Sequence, residues 1–242
     1  KWKTNKIIIM KKVAIFDIDG TIFRSSLLIE VTEALIRGGI LPKKVINIYY
    51  KAYENWTSRK NSYEKYINAV INAFEQNIKG IRYSDFVKIS EKVITTHKNR
   101  VYRYTRELVK DLKKRKYYLL AISNSPKTIV DEFCKKWGFN KAYGRIYELD
   151  KFGKFTGKTL HRDLISDKAK ILKRAVEKEG LSLVDSVGVG DSESDIAFLE
   201  LVKKPICFNP NSKLYQHAKL AKWKIVVERK DVIYILPGNL NT

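Results

Sequence analysis

Cysteine and histidine are scarce in this sequence, which argues against one class of metal site. Only two of the 242 residues are cysteines, and only three are histidines. Cys134 and Cys207 belong to no Cys-x-x-Cys pair and to no cluster with histidine, so a zinc site is not expected. Two isolated thiols are typical of buried structural cysteines in the reducing cytoplasm, and we expect a cytoplasmic location.

Long hydrophobic runs are also missing. No apolar segment approaches the roughly 20 residues that a membrane-spanning helix needs. The run at residues 7–10 is too short for the core of a signal peptide and has no small-residue cleavage site. We therefore expect no membrane association. The single methionine, Met10, precedes a strand-like run, and we interpret residues 1–9 as an N-terminal extension.

Acidic residues are few beside the basic ones. Lysine and arginine number 48 and aspartate and glutamate 26, which gives a formal net charge of +22. Such an excess suits nucleic acid, an anionic membrane surface or a phosphorylated substrate as partner. The basic residues are scattered, however, and their densest run, residues 113–116, fits the end of a helix. A lysine-rich surface without a dedicated polyanion is favoured, and nucleic acid is not an expected partner. A nucleic-acid-associated protein stays an alternative that rests on net charge alone.

What the sequence does contain is an alternation of short apolar runs and helical stretches. Hydrophobic residues make up 44% of the chain, enough to bury a core. Bounded apolar runs predict buried strands at residues 13–16, 117–122, 186–189 and 205–208. A fifth strand is predicted at 144–149, followed by a glycine-containing hairpin that ends at residue 157. This alternation predicts an α/β fold with a parallel sheet covered on both faces.

Residues 24–98 differ, because they contain no convincing strand. Apolar residues at helical spacing begin at Leu27, and Pro42 can open a second helix. Helically spaced aromatic residues follow, which we interpret as the core of a helix bundle rather than as a surface that stacks on bases. They are Tyr49, Tyr53, Trp56, Tyr63 and Tyr66. We therefore expect a core domain made of residues 1–23 and 99–242, and a helical insert at residues 24–98.

Two carboxylates stand where the first predicted strand ends. Asp17 and Asp19 are separated by one residue, and Gly20 follows, which lets the chain turn sharply. The carboxyl ends of parallel strands are where α/β sheets build their sites, and alternate residues of a strand project to the same side. The pair is therefore a candidate for catalysis or metal binding.

Three further segments place polar groups at the same edge of the predicted sheet. The second strand ends in Ser123 and Asn124, and Lys168 stands at the start of a predicted helix, where it can face an anion. The strand at 186–189 leads to Asp191 and Asp195, four residues apart on one side of a turn. Carboxylates gathered in one place repel unless a cation joins them, and oxygen ligands without His or Cys suit Mg²⁺.

Taken in chain order, these segments resemble the haloacid dehalogenase superfamily of phosphohydrolases. The matching set is Asp17-x-Asp19-Gly20-Thr21, Ser123, Lys168 and Gly190-Asp191-x-x-x-Asp195. The hairpin and the later Phe208-Asn209-Pro210 are similar to the phosphoserine-phosphatase-like branch, and the helical insert resembles its type 1 cap. The resemblance implies a Rossmann-like parallel sheet with an inserted, all-helical cap domain.

The resemblance also implies a function. It indicates a Mg²⁺-dependent phosphomonoester phosphatase that acts on a small phosphorylated metabolite through an aspartyl phosphate. Asp17 is then the nucleophile, and Asp19 is the general acid and base. The phosphoryl group is held by Thr21, Ser123, Asn124 and Lys168. The metal is held by Asp17, the backbone carbonyl of Asp19 and Asp191, while Asp195 orders a metal-bound water.

Two departures from the branch bear on the substrate. Nine residues after the nucleophile, phosphoserine phosphatases usually carry a Glu that binds the substrate amine, and here the residue is Ser26. Two glycines usually follow the second-strand Ser, and here Asn124 and Ser125 follow it. We therefore predict that phosphoserine is not the preferred substrate. A phosphotransferase or phosphomutase that passes the phosphoryl group to an alcohol remains the alternative.

Overall fold

The computed structural model describes residues 10–236, so the prediction of an N-terminal extension at residues 1–9 lies outside the described part. Within that part, eight strands form one sheet. They are β1 (Lys11–Phe16), β2 (Tyr118–Pro126), β3 (Lys141–Leu149), β4 (Phe155–Leu160), β5 (Leu181–Gly190), β6 (Lys204–Phe208), β7 (Lys224–Arg229) and β8 (Val232–Leu236). Their spatial order is β4-β3-β2-β1-β5-β6-β7-β8. The six central strands are parallel, and β4 and β8 are antiparallel at the two edges.

Ten α-helices accompany the strands in residues 10–236. They are α1 (Leu27–Arg37), α2 (Ile46–Thr57), α3 (Tyr63–Asn77), α4 (Tyr83–His97), α5 (Arg103–Lys114), α6 (Lys127–Trp137), α7 (Arg162–Ile165), α8 (Lys168–Glu179), α9 (Ile196–Leu199) and α10 (Ser212–Leu220). None of these helices combines the length and the apolar content that crossing a membrane requires.

Strand β1 shows how the two faces of the sheet are covered. Its residues alternate, as a strand buried on both sides requires. Ala14 and Phe16 contribute to one apolar cluster, which continues into α1, α3 and α4, and Val13 and Ile15 contribute to a second cluster on the opposite face. The central position of β1, between β2 and β5, puts its carboxyl end in the middle of the sheet edge.

The predicted α/β class with a mostly parallel sheet and a helical insert is confirmed. All five predicted strands are present, and β3 and β4 form the predicted hairpin, in which Gly153 adopts φ +70°. Helices α1 to α4 occupy the segment predicted to be helical. The division into two domains at residues 24 and 98 stays a prediction. The terminal hairpin of β7 and β8 was not predicted.

The aromatic residues of α2 and α3 differ in how deeply they are buried. Tyr49 and Tyr66 are buried, as predicted for a bundle core. Trp56 stacks on Tyr66 with ring centroids 5.4 Å apart, but it is only half-buried. Tyr53 and Tyr63 keep more than a third of their surface exposed, so the prediction of a core position is wrong for these two.

Candidate active site

The candidate site lies at the carboxyl ends of the three central strands. Parallel register pairs Phe16 of β1 with Ala121 of β2 and with Val189 of β5. The residues that follow these positions therefore meet at one edge of the sheet. Lys168, the first residue of α8, also lies at this edge; helix α8 directly precedes β5 in the chain.

Asp17, Lys168 and Asp195 form a buried ionic network. Lys168 Nζ lies 2.6 Å from Asp17 Oδ1 and 2.5 Å from Asp195 Oδ1. Burial raises the pKa of Asp17 to about 7, against the opposing effect of the Lys168 ammonium. Burial opposes the charge on Lys168, yet the two carboxylates raise the pKa of this lysine overall, which keeps it a cation. Asp17 and Lys168 are each only 4% exposed.

Asp195 also fixes the loop that carries Asp191. Its second oxygen, Oδ2, accepts hydrogen bonds from the backbone N–H groups of Asp191 at 3.0 Å and Ser192 at 3.1 Å. Carboxylate oxygens of Asp17, Asp191 and Asp195 lie within 4.8 Å of one another. Burial and the nearby charges of Asp17 and Asp195 raise the pKa of Asp191 well above its usual value. The three carboxylates are thus close enough to share one cation.

Asp19 lies beside this cluster, with its carboxylate held separately. Its Oδ1 accepts from the Leu27 N–H at the start of α1 at 2.5 Å. Its Oδ2 accepts from the hydroxyls of Ser123 at 2.6 Å and Ser125 at 2.8 Å. Burial raises the pKa of Asp19, although the hydrogen bonds from these groups oppose the effect. A carboxyl group fixed in this way is positioned to transfer a proton in the cavity beside Asp17.

The four residues predicted to hold a phosphoryl group have different positions. Lys168 and Asn124 line the cavity that opens at Asp17. Ser123 is buried, and its hydroxyl donates to Asp19 rather than facing that cavity. Thr21 is fully buried, and its hydroxyl has no hydrogen-bond partner among residues 10–236. The phosphoryl-binding roles of these residues therefore stay predictions.

The cavity has a volume of about 850 Å³ and is enclosed jointly by the sheet edge and by helices α2 and α3. Trp56, Tyr63 and Ile71 form an apolar wall opposite the carboxylates. Burial raises the pKa of Tyr63, and the negative charges of Asp19 and Asp191 raise it further, so its hydroxyl stays protonated. The sequence pattern predicted a helix-bundle core position for Tyr63 and not a place in the wall of this cavity.

Ion pairs of Lys213 connect helix α3 of the cavity wall with the loop that follows β5. Lys213 Nζ, on α10, lies 2.9 Å from Glu193 and 3.6 Å from Glu64 of α3. The amide of Asn211 donates to the same Glu193 carboxylate. These residues are distant in the sequence, and no local pattern indicates that they meet.

Comparison with known proteins adds independent findings. Residues 14–200 match the family described as haloacid dehalogenase-like hydrolase. A phosphoserine phosphatase of Methanocaldococcus jannaschii is 25% identical over 228 residues, which cover 93% of this chain and 96% of that protein. A histidinol-phosphatase of Neisseria meningitidis is 23% identical over 226 residues, which cover 90% of this chain and 99% of that protein.

One relative is much longer than the matched region. A phosphoserine phosphatase of Archaeoglobus fulgidus is 24% identical over 205 residues, which cover 84% of this chain but only 54% of that protein. The chain thus spans about half the length of this relative.

Solved structures show the same fold. A Bordetella pertussis protein of unknown function superimposes with a TM-score of 0.71 at 16% identity, covering 89% of this chain and 98% of that one. A phosphoserine phosphatase solved as an analogue of its phospho-aspartyl intermediate gives a TM-score of 0.59 at 22% identity, covering 92% and 95%. The family resemblance predicted from the motifs is confirmed: the chain belongs to the family of haloacid dehalogenase-like hydrolases.

Proposed function

We propose that this hydrolase is a Mg²⁺-dependent phosphatase that removes the phosphoryl group from a small phosphate monoester through an aspartyl phosphate on Asp17. The observation that carries the proposal is the position of Asp17. It opens onto the cavity from the carboxyl end of β1, 2.6 Å from the Lys168 ammonium and next to two further carboxylates. The relatives named phosphoserine phosphatase and histidinol-phosphatase support hydrolysis of a phosphate ester.

The carboxylate cluster suits a hard divalent cation. Its donors are oxygens alone, and burial together with the neighbouring carboxylates raises the pKa of Asp17 and Asp191, so a cation would favour their ionised forms. Asp17 and Asp191 would hold Mg²⁺, with the Asp19 carbonyl as the further ligand that the family resemblance implies, and Asp195 would contact the ion through a water. When bound, the ion supplies screening of the negative charge between phosphate ester and carboxylate.

The first chemical step belongs to Asp17 and Asp19. A carboxylate oxygen of Asp17 attacks phosphorus, so an O–P bond to Asp17 forms while the bond between phosphorus and the ester oxygen breaks. Asp19 donates its proton to the departing alcohol, and its raised pKa favours the protonated form that this step needs. Lys168 donates hydrogen bonds within the site and offsets negative charge as the phosphoryl group arrives.

The second step regenerates the enzyme. Asp19, now ionised, accepts a proton from water as the water oxygen attacks the phosphorus of the aspartyl phosphate. The bond between phosphorus and Asp17 breaks, and inorganic phosphate leaves. In the alternative phosphotransferase or phosphomutase, the hydroxyl of an acceptor alcohol takes the place of this water.

A nitrophenyl phosphate separates the two aspartates, because its leaving group needs little protonation. With Mg²⁺, Asp19→Asn should release up to about one equivalent of nitrophenol in a burst and then nearly stop, since the second step lacks its base. Intact mass should show one phosphoryl group on the stalled protein. Asp17→Asn should show neither burst nor label.

Two controls complete the test. Asp185→Asn, an exposed carboxylate on β5 that pairs with Lys12, should retain the native rate. Addition of alcohols should leave the release of inorganic phosphate unchanged, whereas a transferase would form a new phosphate ester. Steady, near-native turnover by Asp17→Asn would remove this residue from the mechanism.

A further inference from the structure

The cavity wall next to the nucleophile carries a cation that has no anionic partner. Arg24 lines the cavity together with Asp17 and Asp19, and it follows Asp17 by seven residues. Among residues 10–236, no carboxylate lies within ion-pair distance of its guanidinium, and no side chain accepts a hydrogen bond from it. A cation that faces a ligand cavity without a partner is available to a ligand.

The exposed guanidinium of Arg24 lies beside an aromatic ring. Its carbon lies 5.5 Å from the centroid of the Tyr102 ring, a cation–π distance. Tyr102 packs in turn against Phe208 with centroids 4.9 Å apart. The Arg24 backbone N–H donates to the Arg100 carbonyl at 2.9 Å, beside the bridge that pairs Phe23 with Val101. A guanidinium over a ring face leaves its N–H groups free for a carboxylate or phosphate.

The carboxylates of the same wall are already paired. Outside Asp17, Asp19 and Asp191, the cavity is lined by two acidic residues, Glu64 and Glu193, and both contact Lys213. Lys65 adds a further cation, whose ammonium donates to the amide oxygen of Asn61. Three cations, Arg24, Lys65 and Lys213, thus stand beside two carboxylates, and this part of the wall has an excess of positive charge. Ser26, which stands where the branch usually has Glu, adds no carboxylate.

We infer that the substrate is a phosphate monoester whose alcohol part carries a second anionic group, a carboxylate or another phosphoryl group, and that Arg24 binds this group. The inference rests on the proposed phosphatase function. Within it, Arg24 is a specificity-determining residue that selects the leaving group.

Three esters with three-carbon skeletons isolate the second group. They are 3-phosphoglycerate, glycerol 1,3-bisphosphate and glycerol 3-phosphate. Dissociation constants are measured by calorimetry with Mg²⁺ on Asp17→Asn, which holds the ester without turning it over, and kcat/KM on the native chain. The first two, called doubly anionic because each has a second anionic group, should bind about 10- to 100-fold more tightly than glycerol 3-phosphate, as expected for a charge-assisted contact. Whichever of the two binds better identifies the source of the anion.

Arg24→Gln should abolish most of this preference and change the affinity for glycerol 3-phosphate less than about twofold. Arg24→Lys, which keeps the charge but loses the two-pronged geometry, should give an intermediate preference. The matched control is Arg174→Gln, an exposed arginine of α8 that does not line the cavity. It should preserve both the affinities and the preference.

Two results would overturn the inference: equal affinity for glycerol 3-phosphate and the doubly anionic esters, or a loss in Arg24→Gln that is the same for all esters. The proposed function fails differently. If the native chain released phosphate from no ester while Asp17→Asn still preferred the doubly anionic ones, the anion site would stand and the phosphatase would not.

Discussion

Gly20 shows how closely the backbone of the first motif approaches the carboxylate cluster. It adopts φ +82°, a conformation that side chains disfavour, and a Cβ at this position would collide with the carboxylate of Asp191. Gly20→Ala should therefore cost about 1–2 kcal/mol for the left-handed backbone. It should also displace Asp191, so that the Mg²⁺ concentration for half-maximal activity rises at least about tenfold, as loss of one charge-assisted contact predicts.

Gly39 provides the matched control for this substitution. It adopts φ +71°, yet a Cβ there would meet nothing within 4 Å. Gly39→Ala should lose a similar free energy of unfolding and keep its Mg²⁺ dependence. An unchanged Mg²⁺ dependence in Gly20→Ala would show that Asp191 can move without consequence.

The two cysteines have no part in the proposed chemistry. Both are buried, and burial raises the pKa of the Cys207 thiol to about 12 and that of Cys134 well above its usual value. Because the thiolate is the reactive form, the native protein should react very slowly with a thiol reagent such as DTNB at pH 8. Two equivalents should react at once in denaturant. Rapid labelling of the native protein would mean that one of these thiols is accessible.

At the level of single residues, the sequence predicted which side chains lie together better than it predicted their individual contacts. The order of the motifs was enough to place Asp17, Lys168 and Asp195 at one edge of the sheet, because parallel strands end there. The hydrogen bond from Ser125 to Asp19 and the approach of Tyr63 to the carboxylates were not predicted. Both depend on how α1 and α3 pack over the sheet, which periodicity alone does not specify.

At the level of elements, Asp167 links helix stability to the site. It caps α8 by accepting hydrogen bonds from the N–H groups of Ala169 at 2.9 Å and Lys170 at 3.1 Å, directly before Lys168. Asp167→Ala should lower the free energy of unfolding by about 1 kcal/mol, as loss of an N-cap does. It should also lower kcat, because the first turn of α8 positions the Lys168 ammonium.

A neighbouring aspartate tests whether the loss of the helix cap causes the lower stability and the lower kcat expected for Asp167→Ala. Asp163 lies in the first turn of α7, where no side chain caps the helix. Asp163→Ala should change neither chemical denaturation nor kcat measurably. If Asp167→Ala matched Asp163→Ala in both measurements, the cap would have no role in holding Lys168.

The elements that the sequence missed lack the usual signals. Strands β7 and β8 are joined by a tight turn around Lys230, which adopts φ +54°. That conformation usually falls to Gly or Asn, and neither occurs in the turn. The β3–β4 hairpin, by contrast, has Gly153 at φ +70° and was predicted. Turn residues thus decided which of the two hairpins could be recognised.

For the whole molecule, we expect the carboxylate cluster to make stability depend on Mg²⁺. Mg²⁺ that binds only the folded chain stabilises it by RT ln(1 + [Mg²⁺]/Kd), about 1.4 kcal/mol at ten times Kd. For a chain of this size, that free energy corresponds to an increase in Tm of about 3–6 °C. Thermal unfolding in EDTA and in increasing Mg²⁺ should show this increase, and activity should be lost in EDTA and return with Mg²⁺.

Asp191→Asn separates two effects of the carboxylate cluster: the lower stability of the metal-free chain and the binding of Mg²⁺. The substitution replaces a buried carboxyl group whose pKa is raised by burial and by the charges of Asp17 and Asp195, so the metal-free variant should melt at a higher temperature than the metal-free native chain. It also removes a metal ligand, so Mg²⁺ should raise its Tm much less. Asp185→Asn, which removes an exposed carboxylate of β5, should keep the native response. If Mg²⁺ raised the Tm of the native chain and of Asp191→Asn equally, the ion would bind elsewhere. The repulsion among these carboxylates would then not be offset by Mg²⁺.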